Sequence, residues 1–274
     1  MKISMLFRIL FCAFAAMTFA AGAFAQSAAG LIRAAKVEGP VTKIQANGTS
    51  TPLKNGDSLT ETDAVLTGKG ASVVLVFANG SSVKLGADTR LAIDEFKMDP
   101  LDEEIKPSEL KEEKSVSQTK LNLAYGEMVG SVKKLNTASN YSIKTPVGAA
   151  GIRGTVYRIV FIRKADGKTF FTVSTAEGKV VMMDVTASEI PVEAGKEVEV
   201  QVNTDDPSNP QIKTHDLSDA TKTLIGQAAQ TITEALADIE IPRGGGGPPP
   251  GGPPPTTDTN NAAPDLTPGA GESH

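Results

Sequence analysis

Few residues in this chain are of the types that carry chemistry. There is a single cysteine, Cys12, and the histidines are His215 and His274. A serine nucleophile needs a base within hydrogen-bond reach, most often a histidine, and neither histidine sits in a recognisable constellation. Zinc takes three or four clustered ligands, which two distant histidines do not supply. Asp205-Asp206-Pro207-Ser208-Asn209 offers oxygens to calcium but lacks the spaced pattern of a calcium loop, so it reads as a turn. The run from Gly148 through Gly151 to Gly154 has the glycine density of a phosphate loop. No Lys-Ser/Thr pair follows its last glycine, and Thr155 opens a β-branched run instead. With 32 acidic residues in the chain, paired carboxylates alone point nowhere. Tryptophan is absent, which leaves little material for sugar-stacking platforms. These residues predict a non-enzymatic protein with no cofactor and no metal. A hydrolase with an unrecognised site is the catalytic alternative.

The N-terminus says where such a protein works. Lys2 and Arg8 precede an apolar run over residues 9–19, and Ala23-Phe24-Ala25 supplies small residues at −3 and −1. The pattern predicts a signal peptide over 1–25, cut between Ala25 and Gln26. The apolar run is shorter than the ~20 residues needed to span a bilayer, so no stable membrane insertion is expected after cleavage. Cys12 would leave with the leader, and the exported product would have no thiol and no disulfide. Losing Lys2 and Arg8 takes the formal charge from −5 to −7. Such a chain has no basic footprint for nucleic acid and no polybasic cluster for anionic lipid.

The elements that must position any site are short strands. Turn signals recur at Asn47-Gly48, Asn55-Gly56, Thr67-Gly68, Asn79-Gly80 and Gly86, a spacing that marks an all-β sandwich, barrel or coil. Residues 71–77 are apolar on both faces apart from Ser72, as in a strand buried from two sides. Asn79-Gly80 then predicts a hairpin into residues 82–85. Residues 197–202 alternate, with Val198, Val200 and Val202 inward. Residues 97–118 hold seven acids and four lysines and read as a solvated insertion, with a short helix over 108–114. Residues 215–241 carry a helical apolar stripe, with Asp216 or Ser218 as its cap. From 243 to 274 the composition is glycine, proline and polar residues, which predicts a disordered spacer.

Several of these segments together resemble the FecR domain family. Asn55-Gly56-Asp57-Ser58-Leu59, Thr67-Gly68, the apolar strand 71–77, the Asn79-Gly80-Ser81 hairpin and Thr89-Arg90-Leu91-Ala92-Ile93 follow its order. Leu123-Ala124-Tyr125-Gly126, Tyr141 through Thr145-Pro146, and Glu177-Gly178-Lys179-Val180 continue it. Gly151-Ile152-Arg153-Gly154-Thr155-Val156-Tyr157 is similar to the family's most distinctive signature. The resemblance spans residues 36–202. It implies an all-β fold of many short strands coiled or sandwiched around one core, joined here by one C-terminal helix and a disordered tail. It also implies a bacterial envelope setting, periplasmic or extracellular. The family's name-givers are inner-membrane regulators of iron uptake, in which a cytoplasmic anti-sigma segment and a membrane helix precede the FecR region. A cleavable leader stands in that place here, so a stand-alone exported domain is expected.

Two functions follow. The first is a protein-interaction or scaffolding module whose partner is another envelope or extracellular protein. The second is a signalling component relaying a stimulus to a separate membrane regulator. Arg153, Gly154 and Thr155 are expected to define the fold at a tight turn, with Arg153 paired to a nearby acid, rather than to bind a ligand.

Overall fold

The computed structural model describes residues 28–203 and 205–244. The expected leader with its Ala25–Gln26 cleavage point, and all but the first two residues of the expected spacer, lie outside the described residues.

Among the described residues, eighteen strands and one helix make up the fold. The first half holds β1 (Ala28–Ala29), β2 (Ile32–Glu38), β3 (Val41–Ile44), β4 (Ser50–Pro52), β5 (Ser58–Leu59) and β6 (Ala64–Thr67). It ends with β7 (Ser72–Phe77), β8 (Ser82–Leu85) and β9 (Arg90–Met98). The long β10 (Ser117–Ser131) follows, then β11 (Asn140–Thr145), β12 (Gly148–Ile152), β13 (Val156–Arg163) and β14 (Lys168–Glu177). The last strands are β15 (Lys179–Asp184), β16 (Glu189–Glu193), β17 (Lys196–Asn203) and β18 (Asp206–Asp216), and α1 (Asp219–Leu236) closes the order. The all-β class expected from the turn spacing is what the chain adopts.

The pairing register resolves into two sheets that share β10, giving a barrel-like sandwich. The first sheet runs β4-β3-β6-β9-β10-β11-β12-β15-β16, with β1 beside the far end of β9. The second runs β5-β2-β7-β8-β10-β13-β14-β17-β18. All pairings between these strands are antiparallel except β10–β11. The inward residues of both sheets form one continuous core that includes Phe77, Phe96, Phe161 and Phe171. Phe77 and Phe96 meet edge to face at 5.1 Å between ring centroids.

β10 changes sheet in mid-strand. Its residues up to Tyr125 pair with β9, and those from Gly126 onward pair with β13. Leu121 and Leu123 point into the core before the bend and Met128 after it, so the side-chain alternation slips by one at the bend. Gly126 takes φ +102° there, a value that costs a residue bearing Cβ roughly 1–2 kcal/mol.

The helix is shorter than the 215–241 stripe. Its cap is Ser218, whose Oγ accepts from Thr221 N at 3.1 Å, while Asp216 is engaged with Lys196 Nζ at 2.7 Å. Residues 206–216 before the cap form β18, which takes in most of the Asp205–Asn209 stretch expected as a turn and the first two residues of the expected helix. Ile225, Ala228, Ile232 and Leu236 are the buried face, and Leu224 stays outside it. The helix lies on the outer face of the second sheet, with Ile225 and Ala228 against Val129, and Ile232 and Leu236 against Val74 and Val76. Residues 71–77 are thus covered on both sides, by the core and by α1.

The charged segment differs from expectation. No helix forms over 108–114, and Leu101, Ile105 and Leu110 are buried against the core. Ile105 and Ile241 exchange backbone hydrogen bonds at 3.0 and 2.9 Å, tying the segment to the chain beyond α1. Glu113 is buried, accepting from Ser117 Oγ, from Ser139 Oγ at 2.6 Å and from Asn136 N at 3.0 Å. Three apolar anchors hold down a stretch whose seven acids make it look solvated.

Candidate interaction surface

Arg153, Gly154 and Thr155 form the step from β12 in the first sheet to β13 in the second. Gly154 has φ +66°, and a Cβ there would lie 3.2 Å from Lys134 Cα. Thr155 is buried and its carbonyl accepts from Val132 N at 2.9 Å. Gly178, at the next step between sheets, leaves room for this corner, since a Cβ on it would lie 2.5 Å from Gly154 O. Arg153 does not meet an acid. Its Nη2 donates to the Ser139 carbonyl at 3.4 Å while the side chain stays exposed. The same residue lines a shallow groove of about 340 Å³ with Tyr141 and Lys179.

Four large apolar side chains left exposed gather at the other end of β12. The β11–β12 tip carries Pro146, and this residue lines two adjoining grooves. One, of about 460 Å³, is lined by Asp88, Tyr125, Gly126, Ile162 and Arg163. The other, of about 380 Å³, is lined by Lys144, Val147, Met183, Asp184 and Val185. Tyr125, Ile162, Met183 and Val185 are all 39–42% exposed, large side chains that the core leaves in water. The bend at Gly126 puts Tyr125 there, and the β13–β14 pairing runs on past Ile162 to its tip. The turn after β15 is set by Asp184. Burial raises this carboxyl's pKa, but bonds from Thr186 Oγ1, Ser188 N and Thr186 N prevail and hold it below the ordinary carboxylate range. This turn chemistry fixes the chain that bears Val185.

Polar side chains gather elsewhere, on the outer face of the second sheet. Arg158 Nε donates to Glu127 Oε1 at 2.7 Å, and its Nη1 lies 3.9 Å from Glu197 Oε2. Ser174 Oγ donates to Glu197, and His215 Nε2 lies 3.4 Å from Glu197 Oε1. The carboxylate stands between hydroxyl and imidazole, and Ser174 is fully buried. A nucleophile must contact its base and be open to substrate, so this row is a structural network. Among the described residues no group of three or more His, Cys, Asp or Glu is placed to hold a metal. Nor is any described helix long and apolar enough to cross a membrane. The Asp205–Asp206 stretch is the β17–β18 turn, with Asp206 Oδ1 accepting from Ser208 Oγ at 3.0 Å.

Fold and surface together define a two-sheet β domain with an external helix and an exposed apolar face about Pro146. Residues 63–181 match the family model described as FecR protein, the family that the motif order implied. The matched stretch is shorter than the 36–202 of the resemblance and includes both Arg153–Thr155 and the Pro146 surface. Two crystal structures of a candidate anti-sigma factor from Parabacteroides distasonis are similar, each at 16% identity and a TM-score of 0.42. The match covers 58% of this chain and 62% of that one, under two thirds of its length. No curated protein matches the chain.

The sequence reading missed the Pro146 surface. Tyr125, Ile162 and Met183 lie on β10, β13 and β15, and only strand order brings them to one end. The available signal was the alternation slip between Leu123 and Met128, which puts a bend at Tyr125-Gly126.

Proposed function

We propose that this chain is an exported, non-catalytic protein-interaction module of the bacterial envelope that holds a protein partner on the Pro146 surface. The observation behind this reading is the gathering of Tyr125, Ile162, Met183 and Val185 about one proline. Single exposed apolar residues are ordinary, but a contiguous group rimmed by charge is the mark of a binding site. Lys144, Arg163, Asp88 and Asp184 supply that rim. An exposed tyrosine among aliphatic neighbours is also the residue type that anchors protein interfaces.

The test is site-specific photo-crosslinking in the envelope, with the probe at Ile162 or, as a control, at Lys69. A discrete product from Ile162 that Tyr125→Ala abolishes, with the melting temperature unchanged, supports the reading. The same product from Lys69, or none from Ile162, rejects it. The FecR match favours one second reading, a relay of a stimulus to a separate membrane regulator. Transcript profiling of a deletion strain decides it, because unchanged iron-uptake and envelope-stress genes exclude a relay.

A further inference from the structure

The two sheets end on strands of very different kinds. β4 has three residues and ends in Pro52, β5 has two, and β16 has Pro191 at its centre. β18 has eleven residues, nearly all exposed, and among the described residues it pairs only with β17. Pro207 and Pro210 block its first half, because proline cannot donate to an added strand. That leaves an open window from Gln211 to Asp216, bounded by proline on one side and by Leu217 and the helix cap on the other.

The register fixes which backbone groups in this window face outward. Leu217 N donates to Gly195 O at 2.9 Å, in line with the pairing of Lys196 with Asp216. Antiparallel pairs alternate between bonded and non-bonded. His215, Lys213 and Gln211 therefore bond to β17, while the N–H and C=O groups of Ile212, Thr214 and Asp216 point away from it. These three residues are symmetric about Thr214. A two-fold axis through Thr214, normal to the sheet, sets Thr214 opposite its own copy and Ile212 opposite the copy's Asp216. All three outward residues of each chain are then used.

We propose that a second copy of this chain occupies the β18 edge, joining two second sheets into one by antiparallel β18–β18 pairing. The occupant follows from the symmetry of the window. An isologous contact of this kind closes at two chains, and with β5 only two residues long the sheet offers no second edge from which to grow. Rotation about an axis normal to the sheet keeps both core faces on the same side. Ile212, 44% exposed at the rim of the core face, is partly covered by the partner's strand. This contact is separate from the Pro146 surface and does not depend on its role.

The full chain, expressed with its own leader and purified, is the material for the test. Sedimentation at tens of micromolar is expected to give twice the chain mass. Thr214→Pro removes an outward N–H and no bond to β17, and is expected to halve that mass. A second readout does not depend on proline being tolerated. In a Cys12→Ser background, Thr214→Cys should crosslink on mild oxidation, since bonded antiparallel pairs have Cα atoms about 5.5 Å apart. Gln211→Cys should not, because its own copy would lie about 20 Å away, six residues at ~3.4 Å each. A wild-type monomer across the concentration range overturns the proposal. So does Gln211→Cys crosslinking as readily as Thr214→Cys.

Discussion

Gly126 and Thr89 stand so close that a Cβ on the glycine would lie 2.2 Å from Thr89 Oγ1 and 2.5 Å from its Cα. Thr89 Oγ1 also accepts from Glu127 N at 3.0 Å, so the threonine fills the inside of the β10 bend and pairs its backbone. Gly126→Ala must then both hold φ +102° and displace a buried neighbour. Cost is expected at about 2–5 kcal/mol, the range of overpacking plus backbone strain. Gly48→Ala is the control: its φ is +83° but nothing lies within 4 Å, so strain alone applies, about 1–2 kcal/mol. Urea midpoints of the two variants separate these contributions. Equal losses would mean that the close approach to Thr89 is unimportant.

A second pair lies deeper. Tyr141 and Tyr157 are fully buried with their hydroxyls 3.4 Å apart. Burial is the main cause raising both above the ordinary tyrosine value; beside it, the bond from Tyr157 acts to lower Tyr141, while Tyr141 raises Tyr157 further. Because the folded values exceed the unfolded value of about 10, the unfolded state releases these protons first. Stability is therefore complete below about pH 10 and falls as pH rises beyond it. Tyrosinate absorbance should show Tyr141 and Tyr157 ionising only together with loss of the fold. Their ionisation while near-UV dichroism stays native would contradict this.

Much of the strand content was legible because local chemistry and global fold agree. The Asn79-Gly80 turn, the alternation over 197–202 and the two-sided burial of 71–77 each survive in the structure. The family resemblance rested on such corners and turns, and the residues 63–181 that match lie among them. What was hidden depends on long-range placement. Gly39, Gly70, Gly154, Gly178 and Gly195 have positive φ at passages between the two sheets, not within hairpins. A glycine in sequence does not say which of these it makes. β18 was lost because its prolines lie at a sheet edge, where the missing N–H costs nothing. Leu101, Ile105 and Leu110 were outvoted by the acids around them. The Pro146 surface needed the order of β10, β12, β13 and β15, which no single segment encodes.

Glu113 gives a test of the charged segment. It accepts from two hydroxyls and a backbone N–H, and Ser117 in turn accepts from Asn79 Nδ2 at 3.0 Å. The network pins residues 99–116 to the β7–β8 turn. Glu113→Gln keeps the shape but replaces an accepting oxygen with a donor, which leaves a buried donor unpaired. About 1–3 kcal/mol should be lost, along with amide protection in the segment around Ile105. Unchanged protection there would show that Leu101, Ile105 and Leu110 suffice alone.

The helix should behave as a separable cover. Its contacts with Val74, Val76 and Val129 lie outside the main core, so weakening it leaves the sandwich packed. Ser218→Ala removes the bond to Thr221 N and should cost about 1 kcal/mol. Ile232→Ala opens the contact with Val74 and Val76 and should cost about 2–4 kcal/mol. In both variants hydrogen exchange is expected to quicken over Asp219–Leu236 while β13 and β14, paired on the core side, keep their protection. If β13 and β14 lose protection in step with the helix, α1 is part of the cooperative core, and the chain cannot expose the face beneath it without unfolding.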